Sequence, residues 1–195
     1  MKIILTSKGF ENEIVFNKII SKIDMKISEI KMLVIPTARK NKYNKEKYMK
    51  DYINLGFNPQ NIYFFDDEMP EKFKSLNIDV IYMCGGNTFT LKHYLKKSDF
   101  EKYIYNYLNN GVIYIGASAG SHIATSNIEH VLKFDENNEK ESDMSGLNLY
   151  DGILICHYGL DRKDFYTELL KKGKKVETLT DEEIMYLDDG KWIKE

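Results

Sequence analysis

Short apolar runs alternate with longer polar stretches along most of the chain. The runs occupy residues 2–6, 31–36, 61–66, 79–84, 112–116, 152–157, 183–187 and 191–194. Runs of this length and composition are typical of strands covered on both faces. The polar stretches carry apolar residues at helical spacing, which predicts helices near residues 11–23, 41–55, 88–96, 98–109 and 163–172. The alternation predicts an α/β protein with a mostly parallel sheet between helices.

The pattern contains no internal repeat, low-complexity tract or linker. A polar stretch at 129–145 interrupts it and is interpreted as an excursion over the surface. The last two runs flank a DDG turn and predict a hairpin. A chain of 195 residues with this pattern predicts one domain spanning residues 1–195.

The sequence GASAG at 116–120 places Ser118 between small residues, after an apolar run and before a helical pattern. This is the pattern of a nucleophile elbow, a sharp turn that exposes a serine hydroxyl in a strained backbone conformation. Gly116 and Gly120 are expected to provide room for that turn. The alternative is a glycine-rich turn with a packing or phosphate-binding role.

A second group of small residues, CGGNTF at 84–89, ends the preceding strand and is expected at the same edge of the sheet. The N–H groups of Gly85 and Gly86 are candidates, with that of Ala119, for an oxyanion hole. Asn87 is a candidate for substrate contact and equally for capping the next helix.

A nucleophilic serine needs a base, and four histidines are available. His157 ends an apolar run, so it is expected at the carboxyl edge of the sheet, facing Ser118. The other three, His93, His122 and His130, are interpreted as surface or packing residues.

The order of IPTA at 35–38, CGGNTF at 84–89, GASAGS at 116–121, His157 and YLDDGKWI at 186–193 resembles the peptidase S51 family. This family includes aspartyl dipeptidase (dipeptidase E) and cyanophycinase. The resemblance implies a three-layer α/β/α sandwich like that of class I glutamine amidotransferases. It also implies Ser118 as nucleophile, His157 as general base, and Gly86 with Ala119 as oxyanion donors.

The resemblance leaves more than one candidate for the acidic member of the triad. The carboxylate in the closing turn corresponds to Asp189, with Asp188 as its immediate rival. Glu129 and Asp135 are candidates from the stretch between serine and histidine.

The resemblance further implies a small peptide as substrate, including dipeptides with N-terminal aspartate. Arginine binds a carboxylate through two hydrogen bonds, and the chain has two arginines, Arg39 and Arg162. Arg162 lies five residues after His157, close to where the family places a substrate-binding arginine, and it is expected to bind the aspartyl carboxylate. Three alternatives remain: an esterase or cyanophycin-type peptidase with the same triad, a catalytically silent, amidotransferase-like binding module, and a nucleotide-binding protein. The third is disfavoured because CGGNTF lacks the lysine of a P-loop and the spacing of Gly-x-Gly-x-x-Gly.

Net charge and composition indicate which binding partners, cofactors and cellular location to expect. The formal net charge of −2 gives no sign of a nucleic-acid or membrane surface. The histidines and cysteines lack metal-ligand spacing, so neither a metal nor another cofactor is expected. Both cysteines lie in apolar runs, and the first residues lack a signal-peptide pattern, which together predict a cytoplasmic protein. Monomer and homodimer both remain open.

Overall fold

The computed structural model describes residues 1–195, except the side chains of residues 40–42. The strands are β1 (Ile3–Thr6), β2 (Met32–Ile35), β3 (Ile62–Phe64), β4 (Val80–Met83), β5 (Ile113–Ala117), β6 (Ile153–Ile155), β7 (Val176–Thr178), β8 (Ile184–Asp188) and β9 (Lys191–Lys194). The α-helices are α1 (Glu13–Ser21), α2 (Lys45–Asn54), α3 (Thr88–Lys97), α4 (Glu101–Asn109), α5 (Ala119–His122) and α6 (Lys163–Lys171).

Seven strands form one sheet in the order β3-β2-β4-β5-β1-β8-β9. The first five are parallel to one another, whereas β8 is antiparallel to β1 and β9 is antiparallel to β8. The predicted mostly parallel α/β sheet is therefore confirmed, and the predicted closing hairpin is β8–β9.

Alternate residues of each central strand enter two separate cores. In β1, Ile3 and Leu5 belong to the core under α3 and α4, whereas Ile4 belongs to the core under α1 and α2. All three side chains are at most 3 % exposed. Burial on both faces explains why the strands appear in the sequence as continuous apolar runs.

The sequence prediction was incomplete around β6. This strand pairs in parallel with β7 in a separate two-stranded sheet, and β7 was not predicted. With only three residues, Val176–Thr178, β7 is too short to give a periodic signal. His157 therefore follows a strand of the small sheet, and not a strand of the main one as expected.

The antiparallel course of β8 determines which residues reach the carboxyl edge of the parallel strands. Thr6 pairs with Ala117 of β5 on one side and with Ile184 of β8 on the other. The segment just before Ile184 thus lies at the same edge as Ser118. The β8–β9 turn lies at the opposite edge, about 16 Å away at the usual rise of a strand.

Candidate active site

Ser118 occupies the turn between β5 and α5. Its φ of 48° and ψ of −106° lie outside the usual regions for a residue with a side chain. Its N–H donates to the Thr6 carbonyl at 2.9 Å, and its carbonyl accepts from the N–H groups of Ser121 and His122. These three backbone bonds hold the strained turn, and Ser118 remains partly exposed.

The two glycines around Ser118 permit this turn because there is no room for a Cβ atom. A Cβ on Gly116 would lie 2.6 Å from the Gly120 carbonyl oxygen, and one on Gly120 would lie 2.2 Å from that of Met83. Such distances do not occur between real atoms of these types. The expectation that Gly116 and Gly120 provide room for the elbow is confirmed by this packing.

His157 lies beside the serine hydroxyl. Its Nε2 is 2.9 Å from Ser118 Oγ. The residue follows β6 and has a φ of 52°, the left-handed conformation that side chains other than glycine seldom adopt. The structure thus brings together the two residues that the sequence indicated as nucleophile and base.

Asp181 is the acidic residue that contacts His157. Its Oδ1 is 2.6 Å from His157 Nδ1, and its Oδ2 is 3.6 Å from Lys8 Nζ. A carboxylate can only accept, so Nδ1 carries the proton and Nε2 is left with a lone pair facing the hydroxyl of Ser118. The three side chains form a continuous hydrogen-bonded chain from carboxylate to hydroxyl.

The expectation that Asp189 orients His157 is wrong. Asp189 follows β8 and forms the hairpin turn with a φ of 44°, and Asp188 is the last residue of β8. Both therefore lie at the edge of the sheet opposite Ser118, because β8 runs antiparallel to β1. Asp181 precedes β8, which places it at the correct edge.

The two alternative acids have other positions. Asp135 accepts from the Thr88 N–H at 2.7 Å, so it caps the start of α3. Glu129 is exposed in a short 3₁₀ segment. Little in the sequence points to Asp181, since the stretch VETL at 176–179 contains only two apolar residues and gives no clear strand signal before it.

Of the two predicted oxyanion residues, Ala119 directly follows Ser118 and Gly86 lines the cleft around it. Ala119 is the first residue of α5, so its N–H has no acceptor within the helix. Gly86 lines the cleft and has a φ of 144°, and a Cβ there would lie 2.4 Å from the Ala38 carbonyl oxygen. Gly85 also packs against Ser118, because its own Cβ would lie 3.3 Å from Ser118 Cβ.

The cleft around Ser118 is small and charged. Its volume is about 210 Å³, and its charged lining side chains are Lys8, Glu11 and Arg39. Arg39 donates through Nε to the Gly85 carbonyl at 2.8 Å and pairs through Nη2 with Glu11 Oε1 at 2.9 Å. A cationic group held by backbone and carboxylate thus lies next to the candidate nucleophile.

Arg162, the predicted substrate-binding arginine, is not among the residues that line this cleft. Its Nη1 donates to the Cys156 carbonyl at 2.6 Å, and its guanidinium lies 4.1 Å from the ring centroid of Phe134. The side chain is 18 % exposed. Arg162 therefore supports the segment before His157, whereas Arg39 is the arginine that lines the cleft around Ser118.

Asn87 caps α3. Its Oδ1 accepts from the Thr90 N–H at 2.9 Å, and its Nδ2 donates to the Glu136 carbonyl at 2.8 Å. Both ends of the amide are therefore occupied by the protein. Of the two roles considered for Asn87, the structure shows the capping role.

The remaining buried histidines and cysteines are poor candidates for the chemistry. Burial lowers the pKa of His130 to about 4 and that of His122 well below its usual value, so both rings are neutral near pH 7. Burial also raises the pKa of Cys84 and Cys156 to about 12, which disfavours the reactive thiolate. Both cysteines are buried and unpaired, as predicted.

Two other features bear on the class of protein. No group of three or more metal-ligating side chains is found within the described part of the chain. Among the helices described, none has the length and apolar character needed to cross a bilayer.

Comparison with known proteins identifies one peptidase family and relatives that are named peptidases. The model of peptidase family S51 matches residues 3–194. An uncharacterized peptidase of Pasteurella multocida is 32 % identical over 134 residues, which cover 64 % of this chain and 63 % of that protein. An uncharacterized peptidase of Listeria innocua is 38 % identical over 82 residues, covering 41 % of this chain and 39 % of that protein. The matched segments thus span less than two thirds of these curated relatives.

Solved structures show the same fold. A putative peptidase E protein from Listeria monocytogenes EGD-e superposes with a TM-score of 0.80 at 23 % identity, covering 100 % of this chain and 97 % of that one. A peptidase from an acI-B1 Actinobacterium gives a TM-score of 0.67 at 16 % identity, covering 100 % of this chain and 86 % of that one.

Proposed function

The chain belongs to peptidase family S51, and on this premise we propose that it is a serine peptidase that hydrolyses small peptides through an acyl-enzyme on Ser118. The observation that carries the proposal is the hydrogen-bonded chain from Asp181 through His157 to Ser118 Oγ, with distances of 2.6 and 2.9 Å. Such a chain supplies the base that a serine hydroxyl needs near pH 7.

The geometry supports the following sequence of steps. Ser118 Oγ attacks the scissile carbonyl carbon while His157 Nε2 takes the hydroxyl proton. The tetrahedral intermediate collapses, the C–N bond breaks, and His157 returns the proton to the leaving amine. Water, deprotonated by the same nitrogen, then attacks the ester and releases the acid and free Ser118. Asp181 accepts from Nδ1–H throughout and stabilises the imidazolium.

The negative charge of the tetrahedral intermediate needs donors on the opposite side of the carbonyl. We assign this role to the N–H groups of Ala119 and Gly86. The N–H of Ala119 is left unpaired by α5, and Gly86 lines the cleft without a side chain. No cofactor enters any step of the proposed chemistry.

The finer proposal is that the substrates include dipeptides with N-terminal aspartate. A cleft of about 210 Å³ suits a short peptide. Lys8 and Arg39 place positive charge beside Ser118, where a substrate carboxylate can bind. The half-exposed carboxylate of Glu11 is already paired with Arg39. We propose that the substrate carboxylate replaces Glu11 on the Arg39 guanidinium.

The substrate proposal is tested by measuring hydrolysis of Asp-Leu, Asn-Leu, Glu-Leu, Ala-Leu and a short-chain ester under one set of conditions. We expect Asp-Leu to give the highest kcat/KM. Preference for the ester supports the esterase alternative. A protein that hydrolyses none of them and does not react with a fluorophosphonate supports the silent binding module.

Arg39→Met is expected to raise KM for Asp-Leu by about 10- to 100-fold, since a hydrogen bond to a charged group contributes about 1.5–3 kcal/mol. KM for Asn-Leu should change much less, so that the preference for Asp-Leu over Asn-Leu largely disappears. Glu11→Gln should lower KM for Asp-Leu, because the competing carboxylate is gone. Steady-state kinetics on both peptides measure all three effects.

Arg162→Met is the matched comparison for Arg39→Met. Because Arg162 bonds the carbonyl of Cys156, its loss should lower kcat and leave the preference for Asp-Leu in place. An Arg39→Met variant that keeps the preference, beside an Arg162→Met variant that loses it, assigns the carboxylate to Arg162 and contradicts the proposal.

We also propose a cytoplasmic location, with a small peptide as partner and neither nucleic acid nor membrane as a binding surface. The two free, buried cysteines and the formal net charge of −2 are consistent with this.

A further inference from the structure

The buried hydroxyl of Ser7 contacts both the segment that carries His157 and the segment that leads to Asp181. Ser7 directly follows β1 and is 2 % exposed. Its Oγ accepts from the N–H of His157 at 2.9 Å and donates to the carbonyl of Leu179 at 2.8 Å. Leu179 precedes Asp181 by two residues, so Ser7 joins the histidine segment and the aspartate segment to the end of β1.

We call the region where Ser7 contacts His157 and Leu179 the junction. It matters because the proposed triad is divided between the two sheets. Ser118 follows a strand of the seven-stranded sheet, whereas His157 and Asp181 follow the two strands of the small sheet, β6 and β7. No ladder of backbone hydrogen bonds joins one sheet to the other in the described strand pairing. The distance between Ser118 Oγ and His157 Nε2 therefore depends on contacts between side chains and loops at the junction.

The ladder between β6 and β7 changes register at His157. Leu179 donates its N–H to the Ile155 carbonyl, so in a regular parallel ladder its carbonyl would accept from His157. Instead it accepts from the N–H of Tyr158 at 2.9 Å, one residue further on. The extra residue, His157, is left out of the ladder, as in a β-bulge.

The displaced N–H of His157 would be unpaired without Ser7. A partly buried N–H with no protein acceptor is destabilising, and the left-handed φ of 52° at His157 adds strain. Ser7 Oγ supplies the acceptor for that N–H and, through Leu179, fixes the neighbouring strand. Two further contacts hold this region: Cys156 Sγ lies 3.7 Å from the Thr6 carbonyl oxygen, and His130 Nε2 lies 2.9 Å from the Leu154 carbonyl oxygen, but neither involves the N–H of His157.

We propose that Ser7 is a positioning residue for the proposed reaction: it holds His157 in its left-handed conformation, with Nε2 within reach of Ser118 Oγ. Ser7 forms and breaks no covalent bond and acts only through His157. The inference rests on the proposed serine chemistry.

The test is Ser7→Ala, assayed on the best dipeptide of the panel. Misplacing a catalytic group by about 1 Å can reduce the rate about 100-fold, and we expect a decrease in kcat of that order. KM should stay within about threefold, because the cations of the cleft are untouched. The rate of Ser118 modification by a fluorophosphonate should decrease with kcat, since it too depends on His157.

Ser98→Ala is the matched control. Ser98 is also buried, at 6 % exposure, and its Oγ donates to the Tyr94 and Leu95 carbonyls at the end of α3. We expect it to lower the Tm while leaving kcat unchanged. If Ser7 had only a structural role, Ser7→Ala would likewise lower the Tm and leave kcat unchanged. A folded Ser7→Ala variant with wild-type kcat therefore overturns the inference.

Ser7→Cys is the second variant and gives the answer if Ser7→Ala does not fold. The thiol is close in size to the hydroxyl but is a weak donor and acceptor. We expect its kcat to fall between those of wild type and Ser7→Ala, and a kcat equal to wild type overturns the inference. Failure of the proposed function is a distinct result, because the wild-type protein itself would then neither cleave peptides nor react with the fluorophosphonate.

Discussion

Ser118→Ala is expected to lower kcat for dipeptide hydrolysis by about 10⁴- to 10⁶-fold, the range seen when a serine nucleophile is removed from a triad. The reason is that neither His157 nor the proposed oxyanion donors can form the ester intermediate without Oγ. Substrate binding should persist, since Lys8 and Arg39 remain in the cleft. Steady-state kinetics with Asp-Leu, beside isothermal titration of the variant with the same peptide, measure both expectations.

Ser126→Ala is the control for this loss. Ser126 is partly buried, follows α5 by four residues and is not among the residues that line the cleft around Ser118. It should keep wild-type activity. If Ser118→Ala retains more than about one per cent of the wild-type kcat at an unchanged Tm, nucleophilic catalysis by Ser118 is contradicted, because triad serines contribute far more.

Asp181→Asn is expected to lower kcat by about 10³- to 10⁴-fold with little change in KM, because an amide can stabilise the wrong tautomer of the histidine. The Nδ1 of His157 would then accept from the Asn N–H, which places the proton on Nε2 and removes the lone pair facing Ser118. The fold should be preserved, since Asp181 is 45 % exposed and Asn is nearly the same size. Kinetics at pH 7 and thermal unfolding measure the two effects.

Asp189→Asn is the matched variant for this prediction. Asn is well suited to the left-handed conformation at Asp189, where φ is 44°, so the hairpin should be unaffected. We expect wild-type activity. A loss of activity in Asp189→Asn, beside an active Asp181→Asn, would overturn the assignment of the acid that the structure supports.

The proposed nucleophile and base could be predicted from local sequence because each has a local signature. Ser118 lies in a five-residue pattern whose glycines are required by packing against Met83 and against each other. His157 ends an apolar run. Each feature depends on neighbours within a few residues, which sequence patterns can represent.

The proposed acid, Asp181, could not be predicted in this way, because its position depends on strand direction. Asp181 and Asp189 both lie near polar turns, one before β8 and one after it. Only the antiparallel pairing of β8 with β1 decides which of them reaches the edge that carries Ser118. That pairing joins residues far apart in the sequence, so a local pattern does not reveal it. Asp189 was indicated only by the resemblance of its Asp-Gly turn to the family's pattern.

The arginine that lines the cleft could not be predicted from sequence for a similar reason. Arg162 follows His157 by five residues, and the resemblance to the family points to it. In three dimensions its guanidinium is held by Cys156 and Phe134, whereas Arg39 comes from the segment after β2 and reaches the cleft across Gly85. Adjacent parallel strands β2 and β4 end at one edge, and this brings Arg39 close to Ser118.

The most direct test of the central claim is mass spectrometry of the protein after reaction with a fluorophosphonate. The account predicts one adduct per chain, located on Ser118, absent from Ser118→Ala and formed much more slowly by Asp181→Asn. An adduct on a different residue, or none on a wild-type protein that cleaves peptides, would contradict the claim that Ser118 is the nucleophile.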